Sequence, residues 1–138
     1  MKNLAKTLED IISHGLNNVP LPYKKGKSIR IGSIAIRHSE KQGYIIFDCS
    51  AKKQLDVTFS RAAALAFAKH HDNLAKRSRI LDLDAKFQKH FIDSMFFKNT
   101  IEKTDNDAKK TVAEARLDIS QAHLKAAQHG LECIIFES

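Results

Sequence analysis

The chain has no tryptophan, two cysteines, two prolines and five glycines in 138 residues. Cys49 and Cys133 lie far apart and form no CxxC pair. That spacing predicts two reduced thiols, with a disulfide open only if the fold brings them together. No two glycines stand in a GxG spacing, so no phosphate-cradling loop is predicted. The longest apolar run, Ala62–Ala68, is far short of a membrane span, which needs about 20 residues. The opening MKNLAKTLEDII lacks an apolar core and carries Glu9 and Asp10, so it does not read as a secretory signal. The expectation is a protein that is neither secreted nor membrane-embedded.

Catalytic and metal-binding patterns are equally sparse. His70 and His71 are adjacent and point apart on a helix, and His123 and His129 are six apart rather than three or four. Cys49 closes a strand without the glycine context of a nucleophile elbow. Asp82 and Asp84 resemble the start of a calcium loop, but the glycine and closing glutamate are missing. A helix-starting cap is the expected role for one of them. No catalytic residue, metal, cofactor or small-molecule substrate is inferred, and the expectation is a protein that is not an enzyme.

What the chain does have is apolar content and charge. Hydrophobic residues make up 43%, with eight Phe, enough for one domain over 1–138 to fold without staples. The net charge of +7 is uneven: residues 1–75 carry +6 and residues 76–138 carry +1. Basic character in one half suits a polyanionic partner, although it also serves solubility. Lys24, Lys25 and Lys27 lead into the β region, followed by Arg30, Arg37, Lys41, Lys52 and Lys53, with Tyr23 and Tyr44 among them. These are the candidate nucleic-acid contacts, since sheets can enter a groove with Lys and Arg on phosphates.

Periodicity predicts an α+β fold. Leu4, Leu8, Ile11 and Ile12 mark a helix over 3–16, ended before Pro20 and Pro22. Residues 28–60 read as a three-stranded antiparallel meander. Gly32-Ser33 marks a bulge or tight turn, and Leu55, Val57 and Phe59 are expected opposite Asp56, Thr58 and Ser60. Ser60 then caps an alanine-rich helix over 60–72 that covers the sheet.

Residues 80–136 read as an antiparallel helical hairpin broken at 103–107, where Thr104 or Asp105 is the expected cap. Leu83, Phe87, Phe91 and Met95, joined by Ile80, Phe96 and Ile101, mark the core face of its first helix. Val112, Ala115, Ile119, Ala122 and Ala126 form a heptad seam expected to face that helix. Leu117, Leu124 and Leu131 then lie on another side, as a candidate interface for self-association or a protein partner. The tail 131–138 continues the helix or, after Gly130, forms a short edge strand, and the seven-residue repeat of Leu117, Leu124 and Leu131 favours the helix.

Two resemblances add to this. The segment from Gly26 to Asp72, with Thr58-Phe59-Ser60 stepping into Ala62–Ala68, resembles the three-stranded DNA-binding domain at the N-terminus of phage-type integrases. That likeness implies DNA binding without strand cleavage. The pattern of Ile29, Arg30, Gly32, Ile36, Arg37, Gly43-Tyr44, Ile46-Phe47-Asp48, Thr58-Phe59, Ala62–Ala66, Ala68-Lys69 and Ile134–Phe136 is similar to small uncharacterised proteins of marine tailed phages. It implies a virion component or host-directed factor, in the cytoplasm of an infected cell or in the particle. The leading expectation is thus a non-enzymatic structural or protein-interaction protein, a homo-oligomer or one half of a complex. The alternative is a nucleic-acid-binding module using the basic half.

Overall fold

The computed structural model describes residues 29–137. The helix expected over 3–16 and the lysines Lys24, Lys25 and Lys27 lie outside these residues. The β region forms a sheet of four antiparallel strands, β1 (Ile29–Ile31), β2 (Ile34–Ser39), β3 (Gly43–Asp48) and β4 (Lys53–Thr58), in that order. The expected count was three. The fourth strand comes from Gly32-Ser33, which is a complete two-residue turn. Ile31 pairs with Ile34 across it, and Gly32 sits at φ +60°. A left-handed first turn residue without a left-handed second is the type II′ pattern, which favours glycine and matches the twist of a hairpin.

Each turn is fixed locally. Gly43, at φ +92°, follows the Glu40-Lys41-Gln42 loop, and a Cβ there would lie 2.6 Å from the Thr58 carbonyl oxygen on β4. The Asp48 carboxylate accepts from the backbone N–H of Ser50 and Ala51, at 2.9 and 3.2 Å, the side-chain turn typical of aspartate.

Alternation sorts the faces. Ile29, Ile31, Ile34, Ile36, Tyr44 and Ile46 belong to the inner side, in or against the core. On β4 the expected alternation fails. The register slips at Ile46/Phe47, so Asp56 pairs with Ile46 and Gln54 with Phe47, leaving Leu55 as an extra residue. Past that bulge Thr58 is buried beside Tyr44, while Val57 pairs with Ile45 on the outer face. Leu55 and Val57 therefore do not share a face, because one inserted residue shifts the period of two.

Helix α1 (Arg61–Lys69) starts where expected, with the Ser60 hydroxyl accepting from Ala63 N at 3.2 Å. Every residue from Ala62 to Ala68 is buried. A short helix apolar on all sides must be covered on all sides, and α1 is packed between the sheet and a hairpin of α2 (Leu74–Lys103) and α3 (Asp107–Phe136). The cap of α3 is Asn106, not Thr104 or Asp105: its side chain accepts from Lys109 N at 3.0 Å. Helix α3 runs through Gly130 to Phe136, as the heptad spacing implied. Its last carbonyls are held by α1, with Lys69 Nζ donating to Ile135 O at 2.6 Å and His70 Nε2 lying 2.8 Å from Ile134 O. His70 is thereby buried and structural. Glu137 closes the end on Arg79 and Lys76, at 2.6 and 3.3 Å, and the two cations hold its carboxyl below the usual range.

Candidate interaction surfaces

Helix α3 carries two heptad stripes, and the buried one is not the stripe that sequence spacing favours. Ala113, Ser120, Ala127 and Leu131 are buried, with Leu117 and Leu124 half-buried beside them. Val112 and Ile119 are 53% and 59% exposed, and Ala115, Ala122 and Ala126 are exposed with them. The leucines expected on a second surface thus belong to the hairpin interior, and Leu131 joins the main core. Small residues at 113, 120 and 127 let the backbones approach, and the leucines fill the space beside them.

The same correction applies to α2. Its inward residues are Ile80, Leu83, Phe87, His90, Ser94, Phe97 and Ile101, spaced by three and four. Phe91 and Met95 are exposed. A row of pure four-residue steps drifts by about 40° per step around a helix of 3.6 residues per turn, so the row that starts inward at Leu83 has left the interface by Phe91.

The hairpin therefore has an uncovered apolar face toward its turn. Phe96 is 63% exposed and packs edge-on against Phe97, with centroids 5.6 Å apart. Phe96, Phe97, Ala108, Val112 and Ala113 line a shallow groove of about 380 Å³ between the two helices, flanked by Lys109 and Arg116. A second groove of about 280 Å³ continues it, lined by Lys89, His90, Asp93, Arg116, Ile119 and His123 among others. In that groove the rings of His90 and His123 stack 4.7 Å apart, 18° from parallel. Partial burial, His123 and Lys89 hold the His90 imidazole below its ordinary value, and Asp93 opposes them. From Phe91 to Phe97 the sequence FIDSMFF is apolar on nearly every side of the helix, a composition that normally belongs to a covered helix.

The basic candidates are dispersed. Arg30 and Arg37 are exposed on the outer face of the sheet, diagonal to each other on β1 and β2. Between and beside them lie Ala35, Ile45, exposed Phe47, Val57 and Gln54. Among the described residues this outer strand face bears no carboxylate. Lys52 and Lys53 sit at the β3–β4 turn, while Lys41 lies in the β2–β3 turn at the opposite end of the sheet. Of the five described basic residues singled out, the fold brings Arg30 and Arg37 onto one face.

The polar groups with the tightest geometry serve the fold. Asp84 is not a helix cap but lies inside α2, where its carboxylate accepts from Phe59 N, Ser60 N and the Ser60 hydroxyl, each at 2.8 Å. Tyr44 rests against His38, with rings 4.7 Å apart. Burial raises the Tyr44 hydroxyl and lowers the Arg61 guanidinium beside it, each charge partly offsetting the other's shift. Cys49 is half-buried and Cys133 exposed, both as free thiols. Among the described residues no group of three or more His, Cys, Asp or Glu could hold a metal ion. No helix there is long and apolar enough to cross a membrane. The surface residues that sequence reasoning missed are Phe96, Val112 and Ile119; FIDSMFF is a signal for Phe96 alone. Compared with protein-family models, curated proteins and solved structures, the chain matches none.

Proposed function

We propose that the chain is a non-enzymatic interaction protein whose working surface is the uncovered α2–α3 face, used to join a larger structural assembly. The observation that carries this is the exposed heptad stripe of Val112, Ala115, Ile119, Ala122 and Ala126 beside Phe96. Isolated exposed apolar residues are ordinary, but a contiguous stripe at heptad spacing is the pattern that another helix reads. A virion component, as the likeness to small phage proteins implies, is one form of such an assembly role.

The reading is tested by placing a photo-crosslinking residue at position 119, and separately at 125, in cells expressing the full chain. Position 119 should crosslink to a polypeptide and position 125 should not, since Lys125 is exposed outside the stripe. No protein adduct at position 119 would sink it.

A second reading, a nucleic-acid-binding module, is favoured by the outer sheet face, which Arg30 and Arg37 share with Phe47. Arginine on phosphate with an aromatic ring for stacking is a recurrent combination. Binding of this kind weakens steeply with salt through counterion release, whereas apolar helix docking does not.

A further inference from the structure

We infer that the second groove of the hairpin binds an oxyanion of the phosphate class, held by the stacked imidazoles of His90 and His123 together with Lys89 and Arg116. The inference goes beyond the docking role proposed above and stands or falls without it.

The first ground is the chemistry of the lining. Lys89 and His90 on α2 and Arg116, Ser120 and His123 on α3 all face this groove of about 280 Å³, and all carry N–H or O–H donors. Among the described residues that line it, Asp93 is the one carboxylate. Two permanent cations therefore meet one anion, and protonation of the imidazoles adds further positive charge. Neither Lys89 nor Arg116 forms an ion pair among the described residues, so their charge is left for a ligand. Ser120 is 6% exposed and sets a hydroxyl at the floor. The volume admits an oxyanion with several waters, each of which takes about 30 Å³. The neighbouring groove, lined by Phe96, Phe97, Ala108 and Val112, offers nothing comparable.

The second ground is the geometry of the histidine pair. The rings lie 4.7 Å apart and 18° from parallel, one from each helix. Their N–H groups therefore lie in two nearly parallel planes, at a separation that one acceptor with several oxygens can bridge. A guanidinium adds a planar fork suited to the same acceptor.

The third ground is the local field. Partial burial, then His123 and Lys89, hold the His90 imidazole below its ordinary value, with Asp93 opposing. Stacked imidazolium rings repel each other, and the surrounding cations add to that repulsion. An anion seated in the groove offsets it, so protonation of the pair and binding of the anion favour each other.

The test follows the ring proton resonances of the histidines in the full chain, at fixed pH and ionic strength, as chloride is exchanged for inorganic phosphate, O-phosphoserine or sulfate. Saturable shifts are expected at His90 and His123, with the exposed His129 unmoved. Arg116 is exposed, so the fold does not depend on it. Arg116→Gln should weaken binding about tenfold or more, the effect of losing a charged hydrogen bond. Lys125→Gln makes the same change of charge outside the groove and should leave the affinity unchanged. Sulfate keeps its charge over this range, so its affinity should rise as the pH falls from about 7.5 to about 5.5. The pair of substitutions His90→Gln and His123→Gln should flatten that rise. Tighter binding of O-phosphoserine than of inorganic phosphate would identify the ligand as a phosphorylated side chain, and inorganic phosphate binding at least as tightly would identify a free ion. Absence of a saturable shift with all three anions overturns the inference. So does equal movement of His129, an affinity that Arg116→Gln leaves intact, or a sulfate affinity indifferent to pH.

Discussion

The two ends of the hairpin are built to different standards. At the sheet end, α2 and α3 meet α1 in a dry core of Ile80, Leu131, Ile134 and Ile135, and the buried Asp84 and His70 find partners there, while the side-chain oxygen of Gln128 has none among the described residues. Asp84 receives three donors, and Lys69 and His70 hold the last carbonyls of α3. At the turn end the interface narrows to two helices. Ser94 and Ser120 are buried at the same level, the Ser94 hydroxyl has no hydrogen-bond partner, and Phe96, Val112 and Ile119 face outward. One end is closed by its own chain, and the other leaves Phe96, Val112 and Ile119 exposed. Residues that matter to stability should cluster at the first end and those that matter to assembly at the second.

The largest expected effect tests the closed end. Asp84→Ala removes the acceptor for Phe59 N, Ser60 N and the Ser60 hydroxyl, and leaves the Ser60 N–H buried without a partner. Stranding a buried donor costs about 1–3 kcal/mol, and an anionic acceptor strengthens each bond that is lost. The expected loss is about 3 kcal/mol, read as a lower midpoint in urea denaturation with an unchanged slope. A loss under about 1 kcal/mol would mean that the β4–α1 corner is held by packing alone and would erase the contrast between the two ends.

That corner also shows where the sequence stops being informative. The Ser60 cap, the alanine helix and the hairpin are all legible, because each rests on a local pattern between near neighbours. Asp84 is not: its partners lie 24 and 25 residues away, and a lone aspartate inside a helical pattern looks like a cap or a solvated residue. The bulge at Leu55 is hidden for a related reason, since register belongs to a strand pair and not to one strand. The heptad stripes of α3 were visible, but their assignment was not. Val112/Ile119 and Leu117/Leu124/Leu131 both repeat by seven, and both stripes carry small residues, at 115, 122 and 126 and at 113, 120 and 127, so spacing alone does not mark which side admits another backbone. Spacing thus assigns the exposed face to the interior, and the interior leucines to the surface.

A smaller effect of opposite sign probes the open end. Ser94→Ala removes a buried hydroxyl that has no partner among the described residues. Deleting an unsatisfied polar atom while keeping the backbone and the small volume should raise stability by up to about 1 kcal/mol, because the desolvation of that hydroxyl is no longer opposed to folding. The same substitution at Ser60 should destabilise, since that hydroxyl both caps α1 and donates to Asp84. If both serines lost stability on conversion to alanine, Ser94 would have a partner after all, and the turn end would be as well satisfied as the sheet end.

The smallest effect is a dependence on pH near neutrality at the open end. His90 is flanked by His123, Lys89, Arg116 and Asp93, and its imidazole is held below the ordinary value, chiefly by partial burial and then by His123 and Lys89. The unfolded chain carries an ordinary imidazole, which titrates near pH 6.5. The folded state therefore binds fewer protons than the unfolded state between its own lower pKa and that value. Stability is unaffected above about pH 6.5, falls as the pH drops through this window, and levels off once both states are protonated. His90→Gln keeps a planar polar group and removes the titration. Thermal midpoints of the two proteins, compared from about pH 7.5 down to about pH 5, should diverge only below about pH 6.5, with the native chain losing more. Parallel curves would place the pH sensitivity elsewhere.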